Sequence, residues 1–216
     1  LYASMPDALA QIYGSNDGTP IGLAAGAMYA IIAPAAMLTF AIGGGTWAAY
    51  GEERKHTSDL LLANPISRVQ ALIPKAVTVA LGVVTMGLIT WLSVVGMAAI
   101  LGEESTSDVL ALSVMLIGLS LMFGSLSMAI TGWTGSPGLG TGITAAIAAG
   151  SWFVTTMFGV SENLEWVTNL TPWALYTGPD PINNGIGWWQ LGLMLGLTAV
   201  FTVIAVIGNR RRDLKG

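Results

Sequence analysis

A chain of 216 residues that is 53% hydrophobic and only 9% charged does not have the composition of a soluble globular domain, which carries roughly a quarter charged residues. The mean hydropathy of +0.68 is that of a membrane protein, so its length is better counted in bilayer-crossing helices of about 20 apolar residues each. There is no cysteine, which removes disulfides, thiolate nucleophiles and Cys-ligated metals. The net charge of −4 comes without the basic surface that a nucleic acid would require.

Five segments are predicted to span, approximately 21–50, 77–101, 109–133, 141–160 and 187–208. Residues 1–20 read as a short helix over ALAQIY followed by the turn cluster Gly14-Ser15-Asn16-Asp17-Gly18. The first span carries the close-approach pattern Gly22-x-x-x-Gly26. It also carries Pro34, which removes a backbone donor and can bend the helix. Gly43-Gly44-Gly45 reads as a soft point near its far end.

The next stretch, Gly51–Lys75, holds Arg54, Lys55, Arg68 and Lys75, four of the eight basic residues. The other four, Arg210, Arg211, Arg212 and Lys215, all lie in the C-terminal tail. Lys and Arg concentrate in cytoplasmic loops, so both regions are expected in the cytoplasm. Within the loop, Thr57 or Ser58 can cap a short helix through Ala63, and Asn64-Pro65 ends it. Ser67-Arg68-Val69-Gln70 has the form of a capping box opening the second span. This topology starts the five spans outside and calls for at least one span upstream of Leu1. The expectation is a single transmembrane domain over residues 1–216, cut from or forming half of a longer membrane protein.

The second and third spans meet outside at 102–108, and Ser120, Gly124, Ser125 and Ser127 give the third a small-residue face. The uncharged turn 134–140 lies inside and lacks the Lys of a phosphate-binding loop. Beyond the fourth span, residues 161–187 are broken by Pro172, Pro179 and Pro181 into short pieces expected to dip into the outer interface. Trp166, Trp173, Tyr176, Trp188 and Trp189 read as an aromatic belt at that face.

The five predicted spans contain no Asp, Glu, Lys, Arg or His. Intramembrane ionisable groups mark proton relays and ion paths, and most intramembrane enzymes need an acid, a base or a metal. Their absence disfavours both classes. His56 and the pair Glu52 and Glu53 sit in the charged loop, where solvation or partner contact accounts for them better than catalysis. Transport by such a bundle must draw its energy through the cytoplasmic loop.

Three stretches carry a resemblance. Glu53-Arg54-Lys55-His56-Thr57-Ser58-Asp59-Leu60-Leu61-Leu62-Ala63-Asn64-Pro65-Ile66-Ser67-Arg68 is similar to the first cytoplasmic loop of type-2 ABC exporter permeases. Leu170-Thr171-Pro172-Trp173-Ala174-Leu175-Tyr176, with Pro181 and Trp188, resembles that family's outer segment before its last span. Asn209-Arg210-Arg211-Arg212-Asp213-Leu214 resembles its C-terminal end. The matches fall in order at suitable spacing over the whole chain. His56, where the family has glycine, is a departure.

The resemblance implies an all-α polytopic transmembrane bundle with five of six spans visible, a cytoplasmic coupling helix and outer re-entrant short helices. The coupling helix would be Thr57–Ala63. Leu60, Leu61 and Ile66 would be its apolar knobs, Glu52, Glu53 and Arg68 its charges, and Thr57, Pro65 and Ser67 would set its ends. The implied partners are an ATP-hydrolysing ABC subunit, a second permease copy or half, and the lipid bilayer. ATP and Mg would bind that subunit, with no cofactor on this chain, which has no Walker motif.

Pro172, Trp173 and Tyr176 would form the outer re-entrant segment. From residue type alone, Thr85, Thr90, Ser93, Thr155 and Thr156 are candidates for a polar substrate path. The expected function is the permease subunit of an exporter in the cytoplasmic membrane, moving a hydrophobic or amphipathic molecule, with its C-terminus inside. The rival expectation is an ATP-independent membrane scaffold that docks a cytoplasmic partner on the same loop.

Overall fold

A computed structural model of the chain describes residues 26–51, 68–102, 107–158 and 165–211. A π-helical turn over Met28–Ile32 leads directly into α1, Ala33–Tyr50. Then come α2, Arg68–Leu101, α3, Ser107–Thr134, and α4, Pro137–Phe158. Three single-turn helices, α5 (Glu165–Thr168), α6 (Ala174–Thr177) and α7 (Pro181–Asn184), precede α8, Trp188–Arg211. The described residues contain helices and no strand. Five helices are long and apolar enough to cross a membrane: Met28–Tyr50, Gln70–Leu101, Val109–Thr134, Pro137–Phe158 and Trp188–Arg211.

The spans sit close to their predicted places, and the shifts have local causes. The fourth helix begins at Pro137 rather than near residue 141, because Ser136 precedes a proline suited to the first helical position. Gly135, at φ 69°, makes the reversal before it. The second helix begins at Arg68, the position that the capping box indicates, and runs unbroken through Pro74. Its 34 residues make a rod about 50 Å long at 1.5 Å per residue, against a hydrocarbon core of about 30 Å. The excess leaves the Arg68–Lys75 end free to project beyond the apolar layer.

Helix α3 is the axis of the bundle. Of its most apolar window 72% is buried, against 17% for α4 and for α8. Met115, Leu116, Leu119 and Phe123 of α3 are fully buried and meet Met37 of α1, Val83 of α2 and Met194 of α8. Hydrocarbon tails are as apolar as these side chains, so the hydrophobic effect adds little between the helices. Close packing and interhelical hydrogen bonds must hold them together.

The small residues supply that packing. A methyl group at Gly45 of α1 would overlap the Gly124 carbonyl oxygen of α3, so the two backbones touch there. At Gly208 a methyl would lie 2.9 Å from the carbonyl carbon of Gly132, which joins α8 to α3. The predicted face of α3 is therefore a true interface, with Ser120, Ser125 and Ser127 all buried. Gly43-Gly44-Gly45 is not a soft point: α1 runs regularly through it because Gly45 is clamped against α3. Gly22 of the close-approach pattern lies outside the described residues.

The ends of the bundle differ in chemistry. Lys75 lies over the Trp47 ring at 5.7 Å, and Arg211 over the Trp133 ring at 5.8 Å, both at the end where α1 finishes and α2 begins. Amphipathic rings and basic side chains are suited to a membrane–water boundary. Described spans carry charged side chains only at this end: Lys75, Arg210 and Arg211. The opposite end exposes Trp166, Trp188 and Trp189. Trp173 and Tyr176, expected in the same aromatic belt, are instead buried in the core, because α6 folds back into the bundle.

Candidate substrate cavity and outer segment

Helices α1 and α4 run antiparallel and leave a cavity of about 500 Å³ between them. Its walls extend from Gly43 and Thr141 at the basic end to Ala30 and Trp152 at the other, with Pro34, Leu38, Ala145 and Ala148 between. No charged residue lines it. The alanines of α4 (Ala145, Ala148 and Ala149) create the space, because they are too small to reach α1. Ile31, Thr39, Ala145 and Ala149 on its rim are exposed, so the cavity opens sideways from the bundle.

A polar seam closes the basic end. Ser127 Oγ donates to the Ile42 carbonyl at 3.0 Å. Its proton is thus committed, and it accepts from Thr46 Oγ1 at 2.7 Å. Thr46 in turn receives a hydrogen bond from Thr141 Oγ1 at 3.0 Å. Three hydroxyls from α1, α3 and α4 are thereby satisfied where no water reaches Ser127, which has no exposed surface.

At the other end, Trp152 and Trp173 divide the cavity from a smaller chamber of about 160 Å³, lined also by Thr155, Thr156, Tyr176 and Thr177. The two chambers share Ala30, Trp152 and Trp173 as walls. Trp173 and Tyr176 pack edge to face with ring centroids 5.8 Å apart, an arrangement the aromatic quadrupole favours.

The fold-back of α6 follows from a backbone fault in the first span. In the π turn the Ala33 amide donates to the Met28 carbonyl, five residues back. The next amide would serve the Tyr29 carbonyl, but it belongs to Pro34, which has none. The Tyr176 hydroxyl supplies the missing donor at 3.0 Å. The Tyr29 hydroxyl is itself hydrogen-bonded to Ser113 of α3, tying the turn to the axis of the bundle. Burial raises the Tyr176 phenol above its ordinary value, so it stays protonated as this donation requires.

The five candidate path residues separate into two groups. Thr85, Thr90 and Ser93 of α2 line neither chamber. Their hydroxyls donate to their own helix at Leu81, Met86 and Ile89, over 2.8, 2.9 and 2.7 Å. Thr155 and Thr156 do line the smaller chamber, and Thr155 is hydrogen-bonded to Thr171 at 2.8 Å. Of the outer-segment residues, Trp173 and Tyr176 reach the chambers, and Pro172 stands one residue before them at the entry to α6. Sequence reasoning does not single out Tyr29, Trp152, Thr46 or Thr141, and it marks Ser127 only as part of the small-residue face of α3. Pro34 was the available signal for Tyr29, since a missing amide implies a carbonyl in need of another donor.

The docking residues Glu52, Glu53, Thr57, Leu60, Leu61, Pro65, Ile66 and Ser67 lie outside the described residues. Arg68 is placed as the first residue of α2.

Five helices long and apolar enough to cross a membrane mark a multi-pass membrane protein, with an uncharged lateral cavity between α1 and α4. Residues 3–210 match the family described as "Multidrug efflux system permease Rv1217c, C-terminal domain", and the chain belongs to that family. It is thus a transport domain rather than an enzyme. Curated proteins and solved structures gave no match to the chain.

Proposed function

We propose that this chain is the membrane-spanning part of an ATP-driven ABC exporter in the cytoplasmic membrane, with its C-terminus inside, working as one of two permease copies or halves. Its cargo is a hydrophobic or amphipathic molecule, of the drug, antibiotic or lipid-like kind. The observation that carries this reading is the cavity between α1 and α4: large enough for a drug-sized molecule, apolar, uncharged and open to the side. The described interior holds no Asp, Glu, Lys, Arg or His from which to build a proton relay, so on this reading the energy enters from a partner. The loop before α2 is the entry point. In this proposal the segment Thr57–Ala63 seats on a separate ATPase subunit, which binds ATP and Mg, and α2 carries the displacement across the membrane.

Co-purification of the chain with the ABC ATPase encoded beside it tests this reading, comparing wild type with Leu61→Asp. The expected result is loss of assembly or of stimulated ATP hydrolysis, with membrane insertion intact. Unchanged coupling would move the docking site off this helix. ATP-independent assembly on the same loop, with no stimulated hydrolysis in wild type, would favour a scaffold instead.

A further inference from the structure

Six hydroxyls line the two chambers, and five of them are engaged. Thr39 donates to the Ala35 carbonyl at 2.7 Å, Thr141 bonds Thr46, Thr155 bonds Thr171, Tyr176 caps Tyr29, and Thr177 donates to the Trp173 carbonyl at 3.3 Å. Thr171 donates onward to the Thr168 carbonyl at 2.8 Å, so the Thr155 proton is spent on Thr171. The Thr156 hydroxyl has no hydrogen-bond partner among the described residues. It lines the small chamber, next to the Trp152 and Trp173 rings that border the large one.

From this placement we infer that the protein binds an uncharged amphiphile across both chambers, with Thr156 as the residue that reads its polar group. The apolar body occupies the space between α1 and α4, flanked by the indole rings. A neutral hydroxyl, carbonyl or amide reaches past them to Thr156, which can both donate and accept. A formal charge has no counter-ion along either chamber, so burying one there is costly and charged analogues are excluded. A purely apolar molecule fills the large chamber and gains nothing at Thr156. This inference rests on the cargo reading of the cavity, but it adds a residue and a chemical class that the reading does not require.

The test is equilibrium binding to the full chain in lipid nanodiscs, read by energy transfer from tryptophan to a pyrene probe and corrected for partition into empty discs. The probes are 1-pyrenebutanol, 1-butylpyrene and 1-pyrenebutyrate. Wild type is expected to prefer the alcohol to the hydrocarbon by about fivefold, the scale of one net hydrogen bond, and to reject the carboxylate. Thr156→Val should abolish the preference while leaving the hydrocarbon affinity unchanged, and Thr156→Ser should retain it. Ala145→Phe, which fills the large chamber, should weaken both neutral probes. Equal affinity for alcohol and hydrocarbon in wild type would overturn the inference, as would a preference that survives Thr156→Val. Quantitative disulfide pairing of two copies through Ala149→Cys would assign the groove to a second copy and overturn it too. ATP-driven release of the probe, measured in the same discs with the ATPase, is a separate readout. Its absence beside an intact hydroxyl preference would sink the exporter reading and leave the site standing.

Discussion

The Tyr176 hydroxyl donates to the main-chain carbonyl of Tyr29, 147 positions away in sequence, across 3.0 Å. The carbonyl is open to it because the helix that should serve it meets Pro34. The segment of single-turn helices before α8 is thus held by a defect in the first span. Each compensates for what the other lacks.

That relationship predicts a non-additive pair. Tyr176→Phe leaves a buried carbonyl without its donor and should cost about 1–3 kcal/mol, read as a lowered midpoint in thermal unfolding of the purified protein. Pro34→Ala returns an amide to the helix. In that background the same Tyr176→Phe change should cost well under half as much, a coupling that a double-mutant cycle detects. Equal costs in both backgrounds would mean that the phenol acts only through packing.

The same phenol gives a pH signature. Burial, the leading cause, holds its ionisation above the ordinary value of 10.0. Folding therefore favours the neutral form, and the contribution is complete below the unfolded value and lost as pH rises past it. Stability from this group should be flat from about pH 6 to 9 and should decline above about pH 10. The gap between wild type and Tyr176→Phe should narrow over that upper range when unfolding is measured across it.

Gly45→Ala should be among the most damaging small substitutions in the chain, because its methyl would overlap the Gly124 carbonyl oxygen. Overpacking of this kind costs about 1–3 kcal/mol and sometimes more. Gly96→Ala on α2 is the control. Nothing lies within 4 Å of the added carbon, so it should be neutral or gain up to about 1 kcal/mol in helix propensity. Comparing the two in detergent unfolding separates packing from propensity.

Two buried hydroxyls should respond in opposite ways. Ser127→Ala breaks the seam that joins α1 and α4 to α3 and should lower stability by about 0.5–2 kcal/mol, the range of interhelical hydrogen bonds in membranes. Thr144 is fully buried, and its hydroxyl has no partner among the described residues. Thr144→Val should therefore be neutral or mildly stabilising. A loss as large as that of Ser127→Ala would place a hydrogen bond at Thr144 that the structure does not show.

The spans were legible in the sequence because length and apolarity are local, as was the broken outer segment marked by Pro172, Pro179 and Pro181. What was not legible depended on distant partners. Pro34 announced a missing amide but not that Tyr176 would answer it. Trp173 and Tyr176 have the composition of an interface belt, and only the pull of the Tyr29 carbonyl and the space beside Trp152 draw them inward. Five Ser and Thr residues looked equivalent as path candidates. Three satisfy themselves on the preceding turn of α2, a choice that depends on side-chain rotation and leaves no mark on the pattern. Gly45 looked like looseness until the neighbouring helix was in place.

The contact between Gly45 and Gly124 has a mechanical implication. Two helices pressed backbone to backbone cannot slide along each other, because the first step would drive an α-carbon into a carbonyl. They can still scissor about that point, as blades do about a rivet. Any rearrangement that opens the groove beside α1 must therefore be smallest at Gly45 and grow with distance from it, and the far arm of that blade is where Pro34 and Tyr29 lie.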